Sequence, residues 1–207
     1  MTKASSPLII WVDCEMTGLD IEVDELIEVA VVVTDFELNP LDPGFQIVIK
    51  PSAKAEQQMS DFVREMHSSS GLIERLSSGV SIGDAENQVL AYIKKFVKKP
   101  GSAPLAGNTI GTDRIFIQKF LPEVEGYLHY RNIDVSSLKE LCRHWFPKIY
   151  FQAPTKSGGH RALLDIRESI RELEYYRQAL LTEPPGPDSA KLRSISEKIS
   201  ANWEAHL

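Results

Sequence analysis

The chain holds 207 residues, 43% of them hydrophobic, which is enough apolar material for one sizeable core and scarcely for two. Its net charge of −6 argues against a broad grip on long nucleic acid, which normally needs a basic stripe across one face. A short anionic ligand held by a few local cations remains compatible with that charge. No apolar stretch reaches the roughly 18 residues of a membrane span, and "MTKASS" is too short for a signal or transit peptide. Cys14 and Cys142 lie far apart with no CxxC, a pattern that fits reduced, buried thiols and a cytoplasmic address.

In chain order, three apolar runs come first: "PLIIWVD", "ELIEVAVVVTD" and "FQIVIKP". Acidic, Pro- and Gly-containing turns separate them, which predicts an antiparallel three-stranded meander. From Ser70 to Lys99 the pattern becomes helical, with Ala85, Val89, Ile93 and Phe96 at helical spacing and a basic end, "KKFVKK". The run "APLAGN" predicts a strand and "TDRIFIQKFL" the helix after it. The segment "HYRNIDVSSLKELCRHWF" repeats strand then helix, with Ser137 and Glu140 spaced as a capping box. A Gly-, Ser- and Lys-rich loop, "APTKSGGHRA", leads into a long amphipathic helix marked by Leu163, Ile166, Ile170, Leu173 and Tyr176. "TEPPGPDS" ends that helix. The chain then divides into a domain over 1–181 and a tail over 182–207, where Leu192, Ile195, Ile199 and Trp203 repeat at the spacing of one more short helix. Leading strands followed by alternating strand and helix predict an α/β fold with a partly antiparallel, partly parallel sheet.

Chemistry concentrates at strand and helix ends. In "WVDCEMTGLD", Asp13 and Glu15 sit two positions apart and therefore project from one face of the strand, with Cys14 pointing away. A pair of acids there is compatible with a solvated turn, but the strand is apolar enough to be central, and ligands bind at the carboxyl ends of strands in open α/β sheets. Two like charges held so close repel unless a cation or a shared proton lies between them. Asp113 opens a helix, Asp165 lies in the first turns of the long helix, and His160 stands five residues before it. Each acid alone is equally what a helix N-terminal dipole favours. Together, four carboxylates and a histidine match the oxygen-rich set that two hard divalent cations require.

The motifs "DCEMTGL", "GNTIGTDRIFI", "HYRNIDVSSLKEL" and "HRALLDIRESIRELEYYR", in that order over residues 7–181, resemble the oligoribonuclease family of the DEDDh 3′-to-5′ exonuclease superfamily. The resemblance implies a ribonuclease H-like fold, a mixed five-stranded sheet flanked by helices. It implies Asp13, Glu15, Asp113 and Asp165 as ligands of two cations, Mg²⁺ or Mn²⁺, and His160 as general base. It also implies that Leu19 wedges against a base, Phe62 and His67 line a base pocket, and Thr109, Arg131 and Ser136 hold a terminal phosphate. Tyr130 would come across a homodimer interface. The substrates implied are short single-stranded oligoribonucleotides, especially dinucleotides, cut to 5′-mononucleotides.

Three positions depart from the family pattern. Phe62 replaces a frequent tryptophan, Thr109 a frequent serine, and Leu164 a frequent acid; none is among the four ligands. Rival readings make distinct demands. An exonuclease of the same superfamily acting on longer RNA or DNA ends would be expected to carry more basic surface than a net charge of −6 allows. A non-catalytic module would have lost one of the five catalytic positions, and a haloacid-type phosphatase would need aspartate at position 15.

Overall fold

The computed structural model describes residues 6–155 and 161–204, with side chains to residue 200. Five strands form one sheet in the order β3-β2-β1-β4-β5: β1 (Leu8–Met16), β2 (Leu26–Asp35), β3 (Phe45–Val48), β4 (Pro104–Gly107) and β5 (His129–Asp134). Neighbours β1–β2 and β2–β3 run antiparallel, while β1–β4 and β4–β5 run parallel. This is the mixed sheet the order of runs predicts, with the five strands the family resemblance implies.

Alternation along β1 builds the two faces. Ile10, Val12, Cys14 and Met16 enter a core shared with Ala85, Val89 and Ile93 of α4 (Ile82–Phe96) and with Phe116 and Ile117 of α5 (Ile110–Phe120). Ile9 and Trp11 enter the opposite core, with Val135 and Cys142 of α7 (Val135–Trp145) and Ile166, Ile170 and Tyr176 of α9 (Ala162–Leu180). Pleating therefore places Asp13 and Glu15 on the α9 side, at the end of a strand buried on both faces. Trp11 is fully buried, and its indole N–H donates to Thr34 Oγ1 at 3.0 Å, so the one polar atom of that large side chain is satisfied inside the core.

Between β3 and α4 the chain forms three short helices: α1 (Ala53–Gln58), α2 (Asp61–Ser69) and α3 (Ile73–Leu76). The Ser52 and Ser60 side chains accept from Ala55 and Val63 N–H, the N-cap arrangement that starts a helix locally. The sequence reading missed α1 and α2, together with α6 (Pro122–Tyr127) and α8 (Pro147–Phe151). It also misplaced the start of α7. Asp134, not Ser137, caps that helix, accepting from Ser136 N–H at 2.9 Å. Beyond α9, α10 (Ser189–Glu204) occupies the tail, and its Leu192, Ile195 and Ile199 are exposed. Among the described residues no helix is long and apolar enough to cross a membrane.

Candidate active site

Asp13, Glu15 and Asp165 each present one carboxylate oxygen such that all three atoms lie within 4.8 Å of one another. Two come from one face of β1, and the third from the first turn of α9, whose Ile166 and Ile170 seat the helix on that face. The cluster is at the strand end because the sheet changes there. Strand β4 pairs with β1 only at Ile10 and Trp11, and β4 itself stops at Gly107. The backbone N–H of Cys14 consequently meets no strand, and Asp113 Oδ1 accepts it at 2.9 Å. Asp113 lies on the inward face of α5 with Ile110, Phe116 and Ile117. It stands beside the trio, not within it, and its charge acts on Glu15.

Burial and like charge act together at this end. Burial pushes Glu15 up to about 8, and the neighbouring carboxylates Glu28, Asp165 and Asp113 add to that rise. Burial likewise raises Asp113 to about 7, against the hydrogen bonds from Cys14 that favour its charged form. Desolvation and like charge both favour the protonated acids, and a hard divalent cation is the partner that reverses both. The all-oxygen donor set fits Mg²⁺ or Mn²⁺ better than a soft metal. The two cysteines are free and buried; the Cys14 thiol, raised first by its own burial and then by the acids around it, stays protonated and points into the opposite core.

Two further groups grip the strand end, and the sequence reading did not assign either of them this role. Glu28, opposite Glu15 in the β1–β2 register, is buried and paired with Arg75 of α3 at 2.8 Å. A glutamate inside the apolar run "ELIEVAVVV" was the visible signal, but its partner depends on register and on α3. His67 of α2 is 0% exposed; its Nε2 donates to Met16 O at 2.9 Å, and its Nδ1 lies 3.8 Å from Glu15 Oε2. The structure thus places His67 directly against Glu15 and the end of β1.

The other predicted residues distribute as follows. Leu19 and Phe62 are 75% and 76% exposed, apolar side chains without burial of their own. Leu19 rides on a turn braced by Asp24, which accepts from Thr17 Oγ1 at 2.8 Å and from Asp20 N–H at 2.9 Å. Gly18 is required there, since a Cβ would fall 2.3 Å from Asp24 Oδ2. Thr109 and Ser136 come together, with Ser136 Oγ 2.9 Å from Thr109 N and 3.1 Å from Thr109 Oγ1. Thr109 holds a left-handed backbone at φ 54°, sparsely populated for a β-branched residue, and Asp134 helps to fix it by accepting its N–H at 3.0 Å. On the edge strand β5, Tyr130 is exposed and Arg131 lies over its ring at 5.2 Å. Arg114 anchors that strand from α5 through Glu125, Asn132 Oδ1 and the carbonyls of His129 and Tyr130. His160 lies outside the described residues.

A mixed sheet with carboxylates converging at the end of its central strand defines a metal-dependent nuclease. A family model described as RNase_T, exonuclease, matches residues 10–173. Proteins named oligoribonuclease from Leifsonia xyli subsp. xyli and from Streptomyces griseus are 57% and 55% identical, over 98% and 93% of this chain and 98% and 96% of theirs. The chain belongs to the RNase_T exonuclease family, and within it to the oligoribonucleases, which makes it a metal-dependent 3′-to-5′ exoribonuclease. Among solved structures, the zinc-bound E. coli exonuclease I–single-stranded DNA complex superposes with a TM-score of 0.67 at 11% identity, over 84% of this chain and 41% of that one. Exonuclease I from Methylocaldum szegediense gives 0.61 at 18% identity with the same coverage. The chain spans about two-fifths of those exonucleases, and the likeness shows the shared fold.

Proposed function

We propose that this enzyme hydrolyses short single-stranded oligoribonucleotides, dinucleotides above all, from the 3′ end to 5′-mononucleotides, and that it does so with two divalent cations. The observation that carries the reading is the convergence of Asp13, Glu15 and Asp165 within 4.8 Å, with Asp113 beside them. These four acids would hold Mg²⁺ or Mn²⁺, which when bound acidify water and neutralise charge developing on phosphoryl oxygens. His160, five residues before Asp165 in the sequence, takes the proton of the attacking water; a neutral imidazole near pH 7 suits that task. The new bond joins the water oxygen to phosphorus as the bond to the upstream 3′ oxygen breaks.

The remaining groups bind and orient. Leu19 and Phe62, both exposed, offer apolar faces to bases, and His67, against Glu15 and Met16, lines the base pocket with Phe62. Thr109, Ser136 and Arg131 receive the 5′ phosphate of a dinucleotide, with Arg131 able to donate two parallel bonds. Tyr130, exposed on the edge strand, reaches a second copy's substrate in a homodimer. The exonuclease domain is residues 1–181, with 182–207 an appended tail, and free buried cysteines accord with the cytoplasm.

Digestion of 5′-labelled RNAs from two to about ten nucleotides, with and without Mg²⁺ or Mn²⁺, tests the reading; the upper length follows from the absence of a long basic track. The expected result is metal-dependent cleavage fastest on the dinucleotide. Cleavage that persists in chelator, or that grows faster with length, overturns it.

A further inference from the structure

Behind Thr109 and Ser136 the structure holds a polar strut. Asn108, the residue after β4, donates through Nδ2 to Ser169 Oγ at 2.7 Å and to Glu172 Oε2 at 3.2 Å, and accepts through Oδ1 from Ser136 Oγ at 3.1 Å. Glu172 and Ser169 belong to α9 and are buried, and Lys139 of α7 pairs with Glu172 at 3.2 Å. Ser169 Oγ in turn donates to the carbonyl of Asp165 at 2.9 Å. A carboxylate offers no proton, so Glu172 fixes which end of the Asn108 amide faces it. The rest of the proton order follows. Ser136 has one hydroxyl proton and gives it to Asn108 Oδ1, so its oxygen accepts the Thr109 N–H, and the rotatable Thr109 hydroxyl is the one left to donate to a phosphate oxygen.

The geometry points to Asn108 as a positioning residue that sets substrate length: it ties the Thr109–Ser136 hydroxyl pair to the helix carrying Asp165, and so holds the phosphate end and the carboxylate end of the groove at one separation. This rests on the reading of Thr109 and Ser136 as the phosphate-holding pair. A dinucleotide spans both ends at once and depends on their separation. A tetranucleotide whose 3′ end lies at the carboxylates already runs past the pair and does not. Asn108 touches neither the scissile bond nor the phosphate; it acts through Ser136 and Ser169.

The test compares kcat and KM on a 5′-phosphorylated dinucleotide and a tetranucleotide for wild type, Asn108→Ala and Ser169→Ala. With two or three buried hydrogen bonds removed, Asn108→Ala should lower the dinucleotide-to-tetranucleotide ratio of kcat/KM by about tenfold or more, chiefly by raising KM on the dinucleotide. Ser169→Ala, which removes one leg of the strut and is the gentler change for folding, should move the ratio in the same direction by about two- to fivefold. A purely structural Asn108 would depress both substrates alike and leave the ratio in place in both variants, and that result overturns the strut. A wild type with no preference for the dinucleotide overturns the proposed function and the strut with it. A preference that survives in both variants overturns the strut alone.

Discussion

The two ends of the groove are built on opposite principles. At the carboxylate end, Asp13, Glu15 and Asp165 crowd together with Asp113 and Glu28 nearby, and Arg75 pairs with Glu28. At the other end, Asn108, Thr109, Asp134 and Ser136 are joined by hydrogen bonds, with Thr109 held in a left-handed backbone. The first arrangement is repulsive until a cation arrives; the second is assembled in advance. Desolvation sharpens the contrast at the carboxylate end, where it adds to the cost of the crowded like charges. An enzyme so divided takes its chemistry from what it binds at one end and its geometry from what it already holds at the other.

Breaking the carboxylate end should have the largest effect. Asp13→Asn removes a ligand charge from the trio and should abolish hydrolysis, by 10³-fold or more as an order of magnitude, with the fold intact by circular dichroism. Turnover within about tenfold of wild type, a loss of only about 1.4 kcal/mol in transition-state stabilisation, would remove Asp13 from the site. Next comes His160→Ala, which should lower the single-turnover rate by about 10² to 10⁴ with substrate affinity retained. A fall in affinity with chemistry unchanged would reassign His160 to binding.

How far the sequence displayed these two ends differs for a physical reason. Asp13 and Glu15 were legible because strand pleating is local: positions two apart share a face whatever the sheet does. Strands β1, β2 and β3 were legible from unbroken apolar runs, as was α9 from its periodic Ile166, Ile170 and Tyr176. The grip of Glu28 and His67 on the strand end was not, since it depends on the β1–β2 register and on α2 and α3, whose short polar segments carry little periodicity. The capping box at Ser137 misled because the competing cap, Asp134, serves two masters, Ser136 N–H and Thr109 N–H, and the second is a contact across 25 positions that no local rule sees. The Thr109–Ser136 end was visible as residues and invisible as a network.

Arg131→Ala sharpens the comparison from the other side. The guanidinium is exposed on β5, and its charged hydrogen bonds to a 5′ phosphate are each worth roughly 1.5 to 3 kcal/mol. Binding of a 5′-phosphorylated dinucleotide in metal-free buffer should weaken by about 10- to 150-fold, and an unphosphorylated dinucleotide should barely change. Equal losses on both ligands would take the phosphate away from Arg131.

The smallest effect is on stability, and it separates the two ends by pH alone. In metal-free protein burial holds Glu15 up at about 8 and Asp113 up at about 7, each far above the ordinary carboxylate values of 4.5 and 3.8 that an unfolded chain would show. Between those values the folded state binds more protons than the unfolded state, so its stability falls as pH rises. That contribution is whole below about pH 4 and lost by about pH 8. The melting temperature in chelator should therefore drop by on the order of 10 °C between pH 5 and pH 8 from these groups. Saturating Mg²⁺ should recover more at pH 8 than at pH 5, because it binds the deprotonated acids. Glu15→Gln carries no titrating group at that position and should flatten the slope, whereas Asn108→Ala, which cuts the satisfied network, should lower the melting temperature by a similar amount at every pH. If Glu15→Gln melts with the wild-type slope, the repulsion is not at Glu15 and the contrast between a charged end and a hydrogen-bonded end fails at its first residue.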